Sequence, residues 1–174
     1  GETLGGARTH TEVSAVAHYR AANDSECLQR IRDYVGRLPR AGGVRHARTT
    51  SVPAARPAGD LYALLPQDHR MSYDARQVLD CLLDGGQLDE FQPEMAREMI
   101  CGHVHIEGWP VAVIANSRGI IKGREGEQAR FGGIIYTESA EKTAFFIETA
   151  HRERLPILFV QDVSGFMVGP EAEQ

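Results

Sequence analysis

From Met99 to Val160 the chain runs apolar, apolar, glycine-rich and charged, amphipathic, then apolar again, and few folds accept that order. Met99 to Ile106 and Val111 to Ala115 read as strands. Glu107-Gly108-Trp109-Pro110 between them reads as a hairpin turn. Asn116 to Gly133 reads as loop. Ser139 is the expected cap of a helix whose residues Ala140, Thr143, Ala144, Phe146, Ile147 and Ala150 share one side. Arg152 and Arg154 suit its C-terminal end, where the helix dipole favours cations. Pro156 ends it, and Ile157 to Val160 follows as an expected buried strand. Strand, strand, loop, helix, strand is the opening of an α/β layer structure of the β-β-α superhelical kind.

That last strand runs into Gly165-Phe166-Met167-Val168-Gly169, two glycines around three apolar residues. Loops at the carboxyl ends of buried strands are where α/β proteins place ligands. Glycines there leave backbone N–H groups able to face an anion, and a helix opening near Pro170 would add its positive end. A tight packing turn explains the same residues, and the pattern alone does not separate the two readings.

Upstream, the chain divides into unlike pieces. Residues 1–38 open on Gly5-Gly6 as a turn, with Thr11 to Ala17 as short strand or loop. A helix follows, capped by Asn23 or Asp24, with Cys27, Leu28, Ile31, Tyr34, Val35 and Leu38 on one face. Pro39 stops it. One amphipathic helix cannot offset its ordering entropy alone, so that face calls for partners. Residues 39–59 carry Pro39, Gly42, Gly43, Pro53, Pro57 and Gly59, with Arg40, Arg45, Arg48 and Arg56. Composition favours a solvated basic linker over a phosphate-binding patch. Residues 60–174 form the second piece. Ser72 is the expected cap of a helix over Tyr73 to Leu83, closed by Gly85-Gly86, before an extended Leu88 to Phe91.

Bulk properties narrow the function classes. The net charge of −5 gives no electrostatic reason to expect nucleic acid or an anionic membrane. No apolar run approaches the roughly 20 residues that cross a bilayer. Cys27, Cys81 and Cys101 form no CxxC pair, which points to reduced thiols in a cytosolic-type compartment. The N-terminus has neither an initiator Met nor a signal-peptide pattern, and the chain stops where a helix should begin. Both ends read as cuts in a longer polypeptide.

Side-chain chemistry is sparse. His103 and His105 share one strand face with Cys101, but the polar outer face of a half-buried strand explains them better than a metal site. Cys27 sits among apolar helix residues and reads as core. His10 and His18 have no Ser or Asp at triad spacing. The Gly123 to Gly133 stretch matches neither phosphate-binding glycine pattern, and a mobile or packing loop is favoured over a ligand loop.

Taken in order, these motifs resemble those of the biotin-dependent acyl-CoA carboxyltransferases. Leu61-Tyr62-Ala63-Leu64-Leu65-Pro66-Gln67-Asp68 with Tyr73-Asp74-Ala75-Arg76-Gln77-Val78 resembles that family's L-Y-x-x-x-P-x-D and Y-D-x-R-x-V-I. Asp84 to Phe91 resembles D-x-x-x-F-x-E-F. Cys101-Gly102 through Gly108-Trp109-Pro110-Val111 to Ala115-Asn116 resembles G-x-x-x-I-x-G-x-P-V-G-I-I-A-N-N. Ser139 to Gly169 resembles S-x-x-K-x-x-x-F-I followed by P-I-x-x-x-x-D-x-x-G-F-x-x-G. In the first piece, Leu4-Gly5-Gly6-Ala7, His10-Thr11 and Ser14-Ala15-Val16-Ala17 resemble L-G-G-A-x-x-H-x-x-x-S-G-V-A-D. The chain departs from the pattern at Ala15, His18, Tyr19 and Ser117.

The resemblance implies two crotonase-like (ClpP/crotonase) halves of β-β-α repeats. Residues 1–38 would end the N-terminal domain, 39–59 would link, and 60–174 would begin the C-terminal domain. It implies carboxyl transfer between carboxybiotin on a carrier protein and an acyl-CoA, or the reverse transfer of a glutaconyl-CoA decarboxylase α subunit. The Gly-Phe-Met-Val-Gly form leans to a methylcrotonoyl-CoA-type enzyme; the Lys122 to Arg130 insertion leans to the decarboxylase. A crotonase-fold hydratase or hydrolase, or an assembly piece whose loop only packs, are the other readings. The resemblance further implies biotin carboxylase and biotin carrier partners, a homo-oligomer, and a cytoplasmic or mitochondrial-matrix setting. Backbone N–H pairs outside this segment would stabilise the enolates, leaving no catalytic side chain and no metal here. Gly165, Phe166, Met167, Val168 and Gly169 would line the biotin or acyl pocket.

Overall fold

The computed structural model describes residues 1–38, 46–123, 128–170 and 172. The helices are α1 (Glu2–Gly5), α2 (Ala7–Glu12), α3 (Asp24–Arg37), α4 (Leu61–Leu64), α5 (Ala75–Asp80) and α6 (Thr137–Glu153). The strands are β1 (Asp89–Glu90), β2 (Met99–Ile106), β3 (Trp109–Asn116), β4 (Ile120–Ile121), β5 (Arg130–Phe131), β6 (Ile134–Ile135), β7 (Ile157–Val160) and β8 (Gly165–Phe166).

The β2–β3 hairpin organises the fold. Its turn is only two residues, because Glu107 at φ 51° and Gly108 at φ 77° both take the left-handed backbone that matches strand twist. Trp109 and Pro110 therefore belong to β3 rather than to the turn. β7 then pairs parallel with β3, from Ala112 opposite Ile157 to Ala115 opposite Val160, and α6 makes the crossover. The sheet runs β1-β2-β3-β7.

Strand alternation divides the core in two. Ile100, Val104, Val113 and Ala115 pack against Ala75, Leu79 and Leu83 from α5 and its C-terminal turn. Met99, Cys101, Ala112 and Ile114 pack against Phe146 and Ala150 of α6. Both faces of the hairpin are thus covered, so the face bearing Cys101 and His103 is an interior one and not an outer polar one. His103 Nε2 meets Glu153 Oε2 at 2.9 Å, and its ring lies edge-on to Phe146. Of Cys101, His103 and His105, only His105, near the turn, is exposed.

Other expectations shift for local reasons. The helix at Ala75–Asp80 starts at Asp74, whose carboxylate accepts from the Arg76 amide; Ser72 lies outside it. The helix ends at Asp80, with Cys81 as its C-cap, short of the expected Leu83; Gly85-Gly86, both at positive φ, make a separate turn before β1. Tyr136 caps α6; Ser139 instead closes a capping box from the third helical position. Thr11 to Ala17 is not a strand, since Ala7–Glu12 is helical and bends follow. Asn116 to Gly133 carries a two-residue antiparallel ladder, β4 with β5. β7 is half-buried rather than buried, because its outer edge has no partner strand among the described residues.

α3 forms where expected, with the Asn23 side chain accepting from the Glu26 amide. Among the described residues none of its side chains is buried, and Leu28, Ile31, Tyr34 and Val35 are each more than half exposed. Cys27 is exposed as well, not core. The first piece meets the second through His18, whose ring packs 4.8 Å from Phe91 and 5.4 Å from Phe145, and through Gln92 Nε2 donating to Ala15 O. Burial lowers the His18 pKa.

The described part of the linker, 46–59, is mostly exposed, as a solvated linker should be, but it is tied down rather than free. Thr49 N donates to Gly108 O at 2.9 Å, Arg48 Nε to Glu107 O at 2.7 Å, and Gly85 N to Pro53 O at 3.0 Å. Arg48 also lies over the Trp109 ring, and Arg56 pairs with Asp60. The segment is a strap over the hairpin turn. Arg40 and Arg45 lie outside the described residues.

Candidate functional site

The site grows from the carboxyl ends of the parallel strands β3 and β7. Asn116, the last residue of β3, is buried, and its side-chain amide behaves like one more peptide group. Asn116 Oδ1 accepts from Asp162 N at 2.7 Å, and Nδ2 donates to Asp162 O at 2.8 Å. This adds one rung to the ladder where the two backbones part. The Asp162 carboxylate accepts from Tyr73 Oη at 2.9 Å and lies 3.2 Å from Arg118 Nε. Burial, then the hydrogen bond and charge of Asp162, push the Tyr73 pKa up to about 12, so the phenol stays a donor at neutral pH.

Arg118 joins the loops that follow. Its Nη1 donates to Ser164 Oγ at 3.0 Å and its Nη2 to His69 O at 3.4 Å. Gly133 lies against the same guanidinium, with φ at 86°, and a Cβ there would fall 2.5 Å from Nη1. Gly132 abuts the Ser117 carbonyl, which a Cβ would approach to 2.4 Å. The two glycines therefore serve close packing against residues 117 and 118, in keeping with the packing reading of that stretch. Beside them lies a cleft of about 280 Å³, lined by Arg70, Ser72, Arg118, Ile120, Phe131 and Ser164 among others.

The Gly165 to Gly169 segment leaves this junction. Gly165 and Phe166 form β8, parallel to Ile134 and Ile135. Ser164 N donates to Gly133 O at 2.7 Å and Met167 N to Ile135 O at 2.8 Å, so part of its backbone is committed internally. Phe166 and Val168 are 71% and 75% exposed, a high value for apolar side chains flanked by ordered backbone. Gly169 takes φ 143°, a conformation that excludes most side chains, whereas Gly165 meets no such constraint. The helix expected from Pro170 falls mostly on residues outside those described.

Sequence reasoning missed the second polar group. Glu98 is 1% exposed and is met by the Ser139 hydroxyl and by Arg130 Nη1 at 2.9 Å. Lys142, on the buried side of α6, donates to the carbonyls of Met95 at 2.9 Å, Ala96 at 3.4 Å and Met99 at 2.8 Å. Burial lowers its pKa. Burial also pushes the Cys101 thiol up to about 11, which leaves it protonated and unreactive at neutral pH. The S-x-x-K spacing of Ser139 and Lys142 was a signal for this group, read as a helix start and a family motif but not as a buried polar pair. Nothing in the spacing announced Arg118 or Tyr73.

Chemically, the strand ends present ordered backbone, an exposed apolar wall and carboxylate Asp162 already engaged by Arg118 and Tyr73. That suits binding and orientation rather than acid–base work. Among the described residues no three His, Cys, Asp or Glu gather as a metal site, and no helix is long and apolar enough to cross a membrane.

The sequence and the fold are similar to those of known proteins. The chain is 33% identical over 172 residues to the mitochondrial methylcrotonoyl-CoA carboxylase beta chain of Dictyostelium discoideum, covering 99% of this chain and 27% of that one. It is 31% identical over 157 residues to the glutaconyl-CoA decarboxylase subunit alpha of Acidaminococcus fermentans, covering 88% of this chain and 27% of that one. The fold superposes on transcarboxylase 12S, solved with methylmalonyl-coenzyme A bound, with a TM-score of 0.82 at 22% identity over 99% of this chain and 32% of that one. The chain thus spans less than a third of the length of these proteins. The carboxyl transferase domain matches it over residues 1–174, and the chain belongs to that family.

Proposed function

We propose that this chain is part of a carboxyltransferase subunit that moves a carboxyl group between carboxybiotin, held on a carrier protein, and an acyl-CoA. The observation that carries this is the family match along the whole chain, from the first helices through the strand-end loop. The reading is supported by the sheet with helices on both faces and a strand–helix–strand crossover, which fits the opening of a crotonase-like β-β-α superhelix. On this reading residues 1–38 close one such domain, the strap follows, and residues 60–174 begin the next.

The exposed Phe166, Met167 and Val168 side chains offer an apolar wall of the kind a fused ring can lie against, so the segment fits a biotin group. Bound there, carboxybiotin supplies the carboxyl group. This chain's part is to hold Gly165 to Gly169 in place from Asn116, Arg118 and Gly133, and to form one side of a dry pocket. Backbone N–H pairs from elsewhere in the subunit stabilise the enolate charge. Partners on this reading are biotin carboxylase and the biotin carrier, within a homo-oligomer, in the cytoplasm or mitochondrial matrix.

The reverse transfer of a biotin-dependent decarboxylase is the second reading, favoured by the 31% identity to a glutaconyl-CoA decarboxylase subunit. A hydratase or hydrolase has less support, because Asp162 is already committed to Arg118 and Tyr73. Incubating the full-length subunit with free biotin and malonyl-, glutaconyl- or methylcrotonoyl-CoA tests the proposal. Carboxyl exchange with one of them is the expected outcome; none with any overturns it. Calorimetric titration with CoA esters separates a pure packing role, which predicts no binding and no negative heat-capacity change.

A further inference from the structure

We propose that Arg118 is the positioning residue for the Gly165 to Gly169 segment, fixing it through Asp162 and Ser164, and that it thereby sets affinity on the biotin side. The kinetic half of this rests on the carboxyltransferase reading; the structural half does not.

Three chain segments meet at one guanidinium. In the β7–β8 loop Nε makes an ion contact, not a hydrogen bond, with Asp162, and Nη1 donates to Ser164; Nη2 reaches His69, ahead of α5; and Gly133, before β6, packs on Nη1. The guanidinium is planar, so its nitrogens cannot move independently. Asp162 and Ser164 are therefore held at a set separation, and the chain between and beyond them inherits it. Ser164 N and Gly165 N both point back to Gly133 O, at 2.7 and 3.4 Å, so the glycine that Arg118 packs against is also the acceptor for the start of the segment. Asp162 is itself fixed independently, by Asn116 and Tyr73, which makes it an anchor rather than a follower. Arg118 is mostly enclosed, its side chain 15% exposed, so it is not an open anion receptor. It touches no position proposed for substrate. Its influence passes through the segment.

The test uses the full-length subunit with three variants: R118M, R118K and S164A. Hydrogen exchange is followed at the Ser164, Gly165 and Met167 amides, with β2 and β3 amides as reference. R118M should raise exchange at those three about tenfold or more while β2 and β3 stay unchanged. In carboxyl transfer, R118M should raise the KM for free biotin about tenfold, with kcat and the acyl-CoA KM within about threefold of wild type. R118K, which keeps the charge beside Asp162 but loses the fork, should fall between wild type and R118M. S164A removes a single contact and should shift both readouts in the same direction by less, and it decides the matter if R118M does not fold. Unchanged exchange in R118M and S164A overturns the proposal, as does a loss in which kcat falls with melting temperature and the biotin KM holds. A wild-type subunit without transfer activity overturns the functional reading, while the exchange data still decide the positioning role.

Discussion

Asp84 shows how much one carboxylate can arrange. Its Oδ1 accepts from Glu107 N at 2.8 Å; its Oδ2 accepts from Gly108 N at 2.8 Å and Val52 N at 3.4 Å. It therefore pins the hairpin turn and the strap to the end of the α5 region. Burial opposes its charge, but the amides of Gly108, Val52 and Glu107, with His105 nearby, outweigh that and hold its pKa below the ordinary value. The unfolded chain then takes up the proton first as pH falls. The stabilisation is complete above the ordinary carboxylate value of about 4 and is lost as pH falls through the lower folded value. Asp84→Asn should lower the melting temperature at pH 7 and flatten its acid limb, measured by thermal denaturation from pH 3 to 7. An unchanged acid limb would assign the acid sensitivity to other carboxylates.

Among the elements, the β2–β3 hairpin and α6 were the most legible. A turn that needs positive φ announces itself with glycine, and a helix that buries one side repeats its apolar residues at helical spacing. Gly108→Ala combines two faults: φ at 77°, and a Cβ 2.2 Å from Thr49 O, which belongs to the strap. It should cost about 2 kcal/mol or more in chemical denaturation. Gly85→Ala, with positive φ but ordinary contacts, should cost less. What periodicity could not show is which neighbour covers a face. Cys101 and His103 alternate like an outer face yet lie beneath α6, and Ile157 to Val160 reads like an interior strand yet is the last strand of its sheet among the described residues. The Ser72 cap failed for a smaller reason: Asp74 is nearer the first free amides and a carboxylate accepts well there.

For the molecule as a whole, the ordered motifs made the family readable, since their series does not depend on contacts. The clamp at the strand ends was not readable, because Arg118 meets partners 46 and 49 residues away in sequence and has no periodic signature. The α3 face is open to solvent. Leu28, Ile31, Tyr34 and Val35 form an exposed apolar stripe on a well-capped helix. The 174-residue chain should associate with rising concentration, and Leu28→Gln with Ile31→Gln should reduce that without changing its melting temperature, read by sedimentation velocity. Association that persists unchanged would place the sticky surface elsewhere.

The buried amine of Lys142 has a consequence for reactivity. The chain contains only two lysines, Lys122 and Lys142, against many arginines. Nucleophilic amines attack through a lone pair, and Lys142 has all three of its N–H bonds pointed at the carbonyls of Met95, Ala96 and Met99, 43 to 47 residues away in sequence. A thioester or an amine-reactive ester should acylate Lys122 in the native protein and spare Lys142, as peptide mapping by mass spectrometry would show. Label on Lys142 then marks each separation of α6 from the segment before β2, so its slow appearance is a chemical clock for that opening.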